Sequence, residues 1–567
     1  MNMASRYGVA LVLGVLLVCW CPTVSGQQKA RPSAQEAPLP RKPFFGAQLG
    51  PVSKELRERQ KLNGTEGVVL VRVLPRTTAA QAGFKTGDVI LSVNDSKVAD
   101  IAAFLGKIRT IRTGDTLTVE VVRDGERSIK KLTMREKPRE TSDAYDIAYG
   151  QILSRGSRLR TILTRPKAQG RHPAVLLLQG YGCGTIDIPV GRPDQLRWLA
   201  DDLTRHGYVV MRVDRPGSGD SEGGPCQDMD LETELDGYRQ ALKALKGFAF
   251  VDADNVFLFG YSLGGTTAPL IAVDEPVKGI AVYGTGSKTW FEALLEQRRY
   301  VMRVDGTTPA EADRQMNRWG RVFTYLLLEK MKPADVAEKH PDLRDLLKIV
   351  GADGDYLNGR HYRFHHQLAE RSIDGAWAKV DADVLALWGK SDWACAGYFD
   401  EHIARLVNQA HPGRAKFVAL DGTDHGFYRV PSPEDAFRLE KNVGQGNATW
   451  PEYNPVVLET LRGWLEKETG KSAEQGKPCE ATGNAVPAGQ PSEWDRDAAY
   501  QGKRHWKRCR WYTPPADRRN RKVYGRRAWC LDGAIPGNGV VENWFELLDS
   551  WYDTINDETG GLNGYRW

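Results

Sequence analysis

After its first twenty positions the chain has no run of eighteen apolar residues, so nothing beyond the N-terminus is long enough to cross a bilayer as a helix. Cysteine is scarce, eight in 567 residues, and none shows the CxxC spacing of zinc or iron–sulphur sites. The phosphate-loop pattern G-x-x-x-x-G-K-[ST] is missing as well. The formal charge of +6 is too small for this length to name a partner. With 41% hydrophobic and 26% charged residues, a mostly disordered or fibrous chain is excluded. At this size a single core is excluded too, and two to four domains are expected.

The N-terminus has what the rest lacks. Arg6 precedes VALVLGVLLV (Val9 to Val18), and a polar stretch begins near Ser25, which gives the charge, apolar core and small-residue exit of an export signal over residues 1–26. Cys19 follows Val18 rather than a small residue and is a poor lipid-attachment site. An uncleaved anchor is the alternative. Export predicts a secreted or periplasmic protein with no membrane span once the signal is removed. Cys183, Cys226, Cys395, Cys479, Cys509 and Cys530 would then lie in an oxidising compartment, with up to three disulfide bonds. Their pairing does not follow from sequence, although Cys183 and Cys226 both fall on loops at one end of the sheet described below.

Residues 27–42 are proline-rich and polar, without periodicity, and read as a linker. An alternating region follows. GVVLVRVL (Gly67 to Leu74) is strand-like, and AAQAGFKTGDVILSVND gives a short helix, a turn and a strand. IAAFLGKIRTI has helical spacing, and TLTVEVVRDGERSIKKLTM reads as a hairpin around Asp124-Gly125. With AGFKTGDVILSVND and VEVVRDG as matching phrases, residues 43–136 resemble a PDZ domain. The resemblance implies that Phe45, Gly46, Ala47, Gln48 and Leu49 form the loop and edge strand that receive a partner's C-terminal peptide. A PDZ-shaped spacer without a ligand is the alternative.

From residue 145 to about 470 the pattern changes. DIAYGQILSRGSRLRTILTRP suggests an opening hairpin, and PAVLLLQG, YVVMRVD, NVFLFG, GIAVYG, VLALWG and AKFVALDG are short buried-type strands separated by helical stretches. The expected class is α/β: a mostly parallel sheet covered on both faces, with functional loops beyond the carboxyl ends of its strands. Residues 285–380, between the fourth and fifth of these strands, carry aromatic and apolar residues at helical spacing and read as a helical cap, or else as a side layer away from substrate.

GYSLGG (Gly260 to Gly265) begins where NVFLFG ends, and SLGGTTAPLIAV continues as a helix. A strand, sharp turn and helix around G-x-S-x-G can hold a serine as nucleophile, with glycines where backbone crowds backbone. A base and an acid are needed. Asp392 in WGKSDW and His425 in DGTDHGF follow, in that order, on loops directly after strands. These segments resemble the acid and histidine loops of α/β-hydrolases, of the esterase and prolyl-oligopeptidase or X-prolyl-peptidase kinds. The resemblance implies Ser262 as nucleophile, Asp392 as acid and His425 as base, with the amides of Leu263 and Tyr181 as the oxyanion hole. The Tyr181 hydroxyl is either a further donor or a packing group. Asp424 and Asp421 read as loop residues, and His402 and His411 as residues flanking a helix. A metal site at His365-His366 is disfavoured, because adjacent residues do not share a helical face. DRPGSGDSEG (Asp214 to Gly223) resembles a turn-shaping loop of the same family. No cofactor and no metal are expected.

Residues 475–567 form an extension of no assignable type. Within it, residues 503–527 hold eleven Lys or Arg against one Asp, and seven of the sixteen tryptophans follow Trp494 or include it. Export argues against nucleic acid as its partner; an envelope polymer, a glycan or the protein's own acidic surface fits better, and a purely structural role is the alternative. The functional expectation is an exported serine hydrolase that cleaves carboxylic esters of small acids through an acyl-enzyme. A peptidase acting on short peptides, and a non-catalytic binding or scaffold protein, are the alternatives.

Overall fold

The computed structural model describes residues 39–64, 66–444 and 448–470. The expected export signal, residues 27–38 of the expected linker, the 475–567 extension and Cys479, Cys509 and Cys530 lie outside them.

The first sheet is built from β1 (Ala47–Pro51), β2 (Val68–Val73), β3 (Val89–Val93), β4 (Ser96–Lys97), β5 (Thr116–Arg123) and β6 (Glu126–Thr133). Its order is β1-β2-β3-β5-β6, all antiparallel, with β4 paired to β3. The β5–β6 turn has Asp124 at φ +53° and Gly125 at φ +82°, the paired left-handed conformations that fit the twist of a two-residue hairpin. Helix Ile101–Ile108, capped by the Asp100 carboxylate on the Ala103 amide, closes one face. Beneath it Phe45 meets Phe84 and Phe104 edge to face at 5.4 and 5.3 Å. Helix Lys54–Arg59 was not foreseen. It buries no side chain, so it leaves no apolar periodicity to read.

The second sheet has eight strands: β7 (Tyr145–Ser154), β8 (Ser157–Pro166), β9 (His172–Leu178), β10 (Val209–Val213), β11 (Val251–Tyr261), β12 (Gly279–Tyr283) and, after a small three-stranded sheet of β13 (Ala352–Asp353), β14 (Tyr356–Leu357) and β15 (Arg360–His361), β16 (Asp383–Gly389) and β17 (Ala415–Leu420). The order is β17-β16-β12-β11-β9-β10-β8-β7. From β10 to β17 the pairs are parallel, and β8 and β7 continue antiparallel.

Alternation within each strand divides the core in two. Leu176, Leu178 and Met211 face one layer with Leu235, Tyr238 and Leu242 of helix Leu231–Lys246. Val175, Leu177 and Val210 face the other, against Leu199 and Leu203 of helix Gln195–Arg205 and Leu461 and Leu465 of helix Val456–Thr469. Strands buried on both faces read as unbroken apolar runs for this reason.

The stretch between β12 and β16 is mainly helical, as its spacing predicts. Its first helix, Trp290–Val304, starts at a capping box in which Thr289 and Glu292 satisfy each other's amides. Trp290, Leu294, Tyr300, Val301 and Val304 are buried in the larger core layer, so the insertion is fused to the body. Strands β13 to β15 were not foreseen, because two-residue strands carry no period.

Residues 39–42 are no free tether. The Arg41 guanidinium bonds the buried carboxylates of Asp187 and Asp220, the latter at 2.7 Å, and the Lys42 amide donates to Asp220 at 2.9 Å. Polar, proline-rich composition suggested a linker, whereas buried long-range ion pairs hold its last residues.

Candidate active site

Ser262 lies between β11 and helix Leu263–Ala272, at φ +51° and ψ −122°. A non-glycine residue there is strained and persists only where its surroundings fix it. Several bonds do so. The Ser262 amide donates to the Tyr283 carbonyl at 2.9 Å, and its carbonyl accepts from the Gly265 amide and the Thr285 hydroxyl, both at 2.8 Å. The flanking glycines are required by space. A Cβ on Gly260 would lie 2.6 Å from the Gly264 carbonyl, and one on Gly264 would lie 2.4 Å from that of Leu178. Leu263, as the first residue of the helix, presents an amide that intrahelical bonding does not use.

Asp392 follows β16 and is completely buried. Its Oδ1 accepts from the Ala394 amide at 2.7 Å and the Cys395 amide at 2.8 Å, and its Oδ2 bonds His425 Nδ1 at 2.7 Å. This arrangement orients the imidazole and, when Nδ1 carries the proton, leaves Nε2 as the basic nitrogen. Gly284 makes room, since a Cβ there would approach Asp392 Oδ2 to 2.7 Å and His425 Nδ1 to 3.1 Å. Asp424, the neighbour of His425, accepts instead from the Tyr428 amide at 2.7 Å, the loop role its position suggested. Asp421 is exposed and pairs with Lys390 at 2.7 Å. His402 lies within helix Tyr398–Ala410 rather than beside it, bonded to Asp374 at 2.8 Å.

Ser262, Leu263, Tyr181 and His425 line one cavity of about 40 Å³, together with Thr266, Gly286, Trp290, Ala293, Leu294, Gln297, Ala394, Cys395 and Phe399. Four of these, Trp290, Ala293, Leu294 and Gln297, come from the first helix of the insertion. The insertion therefore reaches the candidate site.

The Tyr181 loop, after β9, is held from three sides. Arg215 donates to the carbonyls of Gly180 and Gly182, and Arg360 of β15 donates to that of Tyr181 at 2.6 Å. Both arginines pair with the buried Glu234 at 2.7 Å. A disulfide joins Cys183 to Cys226. The Tyr181 hydroxyl bonds His365 Nε2 at 3.0 Å and the Leu357 carbonyl at 3.2 Å. In this structure the hydroxyl is therefore engaged with residues of the insertion. Trp290 Nε1 donates to His365 Nδ1 at 3.3 Å, and burial pushes this imidazole down to about 3, so it is neutral.

Atoms of Asp392, Cys395 and His425 lie within 4.8 Å of one another and are the only potential metal cluster among the described residues. The donor set fits hydrogen bonding better than a cation. Both Asp392 oxygens already accept hydrogen bonds, and burial, with Asp392 and Asp400 nearby, holds the Cys395 thiol protonated well above its ordinary range.

In the first sheet, β1 is an edge strand. Phe45, Ala47 and Leu49 turn their side chains into the core, Gln48 is half-buried, and Gly46 has φ +83°.

Neither Gln297 nor the Glu234 network was anticipated. For Gln297 a signal existed: in WFEALLEQRRYVMR the stripe Trp290, Ala293, Leu294, Val301 is interrupted at position 297 by an amide.

Comparison with known proteins agrees with the two sheets. Residues 43–132 match the PDZ domain family, and residues 175–439 match the alpha/beta hydrolase family. Among curated proteins, clostripain of Hathewaya histolytica is 47% identical over 64 residues, 11% of this chain and 12% of that protein. The periplasmic serine endoprotease DegP of Escherichia coli is 31% identical over 99 residues, 18% and 21% of the two chains. Esterase EstD of Thermotoga maritima is 22% identical over 231 residues, 41% and 49%. The chain thus spans from about an eighth to half the length of these relatives. Among solved structures, Est1E from Butyrivibrio proteoclasticus, at 15% identity and a TM-score of 0.36, covers 57% of this chain and 99% of its own. Among the described residues no helix is long and apolar enough to cross a membrane. The chain carries an α/β-hydrolase domain with helical insertions, fused to a PDZ-like domain on its N-terminal side.

Proposed function

We propose that the chain is an exported serine hydrolase that cleaves carboxylic esters of short acids, with Ser262 as nucleophile, His425 as base and Asp392 as the orienting acid. The observation that carries this reading is the strained Ser262 turn opening into the same cavity as His425, whose other face is bonded to Asp392 at 2.7 Å. Ser262 Oγ attacks the ester carbonyl while His425 Nε2 takes its proton, and the imidazolium is stabilised by the Asp392 carboxylate. The negative charge on the former carbonyl oxygen meets the Leu263 and Tyr181 amides. Collapse expels the alcohol, which receives the proton from His425. Water, deprotonated by the same histidine, then releases the acid from Ser262.

The cavity is small, about 40 Å³, and lined mainly by apolar side chains, which favours a short acyl chain. In this reading the PDZ-like domain holds a partner's C-terminal peptide along the β1 backbone, near Phe45 to Leu49. The N-terminal sequence supports export to the periplasm or beyond. The test is a panel of p-nitrophenyl esters of two- to eight-carbon acids, run against aminoacyl and dipeptidyl anilides and beside Ser262→Ala. Turnover of the short esters, lost by at least about a thousandfold in the variant, is expected; turnover of anilides alone would contradict the ester reading.

A further inference from the structure

Gln297 is the polar exception in a mainly apolar part of the cavity. It is 7% exposed, lines the cavity beside Leu294 and Ala394, and its Nε2 donates to the Ala394 carbonyl at 3.1 Å. A carbonyl can only accept, so that bond fixes which end of the amide is which. The other end, Oε1, is a buried acceptor without a hydrogen-bond partner. Such an atom gives up its hydration on burial, and a donor brought against it would restore the lost hydrogen bond. The side chain is held at both its helix and its amide, so the acceptor is already positioned before substrate arrives.

Resting on the esterase reading of Ser262, we propose that Gln297 determines acyl specificity: the acyl group of the substrate is short and carries a neutral hydroxyl that donates to Gln297 Oε1. Volume and charge select the donor. A hydroxyl adds one heavy atom to the acyl chain in this small cavity, whereas an acylamino group adds several. An ammonium would fit in size, but no carboxylate is among the cavity-lining residues, and a cation without a counter-charge is poorly tolerated out of water. Thr266, which also lines the cavity, uses its hydroxyl proton on the Gly286 carbonyl at 3.1 Å.

Matched methyl esters test this: propanoate against 2-hydroxypropanoate and 2-aminopropanoate, and butanoate against 3-hydroxybutanoate, with acid release followed at constant pH. For the full chain kcat/KM should be about 10- to 100-fold higher for at least one hydroxy ester than for its unsubstituted partner. Gln297→Met, close in size and without the acceptor, should abolish that ratio while still hydrolysing the alkyl ester. A ratio near one in the unaltered protein, preference for the amino ester, or a ratio that survives Gln297→Met in active protein overturns the proposal. Should Gln297→Met fail to fold, the ratio in the unaltered protein and in Gln297→Glu decides, the latter predicted to gain relative activity on the amino ester. Labelling of Ser262 by a fluorophosphonate separates two failures. A labelled protein that hydrolyses none of the esters refutes the specificity proposal alone, and an unlabelled one refutes the hydrolase reading beneath it.

Discussion

At the scale of single residues, the site is an arrangement of strain and burial. Ser262 occupies a backbone conformation that its hydrogen bonds to Tyr283, Gly265 and Thr285 enforce, and Asp392 has all its nearby donors supplied by Ala394, Cys395 and His425. His365 gives a pH-dependent signature. Burial lowers it from 6.5 to about 3, with Arg360 and His366 acting in the same direction and the Leu357 carbonyl opposing. Between those values the unfolded chain binds a proton that the folded one does not. Its contribution is therefore complete above pH 6.5 and falls as the pH drops towards 3, by about 1.4 kcal/mol per pH unit. His365→Phe should flatten the fall of the melting temperature between pH 6.5 and 4.5 relative to the unaltered protein. Parallel slopes would show that His365 is protonated in the fold.

At the scale of elements, the loops after β9 and β10 are fastened to each other and to the insertion. The Cys183–Cys226 disulfide closes 43 residues of chain, and its removal by Cys226→Ser should cost about 2–4 kcal/mol, read by urea denaturation. Because it anchors the loop that carries Tyr181, kcat should fall more than KM rises. Unchanged kcat would place Tyr181 outside the reaction. These elements also divide what the sequence reveals from what it does not. The Ser262 turn, the Asp392 loop and the His425 loop each follow an apolar strand and carry a local signal in a few adjacent residues. The Glu234–Arg215–Arg360 bonds, and the His365 contact to the Tyr181 hydroxyl, join positions more than a hundred residues apart on at least one side, and no local periodicity encodes them. Gln297 falls between these cases: its break in a helical stripe was visible, but only the cavity gives that break a meaning.

At the scale of the whole described chain, the passage between the two sheets is held by hydrogen bonds and ion pairs. Arg41 bonds Asp187 and Asp220 and Arg212 pairs with Glu140 at 2.6 Å, all buried, and the half-buried Tyr149 donates to Asp187 at 2.7 Å. Composition alone made residues 39–42 a linker, because ion pairs formed with residues 146 and 179 positions away leave no trace in local polarity. Removing one partner of a buried ion pair strands the other charge. Arg41→Ala should thus destabilise the chain by about 3 kcal/mol, the low end for such a change because Arg160 and Lys137 stay close to the two carboxylates. It should also open residues 137–144 to protease. Equal stability and equal cleavage would mean that the two sheets are joined by chain connectivity only.

The claim on which the rest depends is that Ser262 is a nucleophile activated through His425 and Asp392. Its most direct test is mass spectrometry of the full-length protein after reaction with a fluorophosphonate, with the adduct mapped by peptide. One adduct per chain is expected, on Ser262, formed at least about a hundredfold more slowly in His425→Ala. Equal labelling of the His425→Ala protein, or an adduct on any other residue, would contradict it.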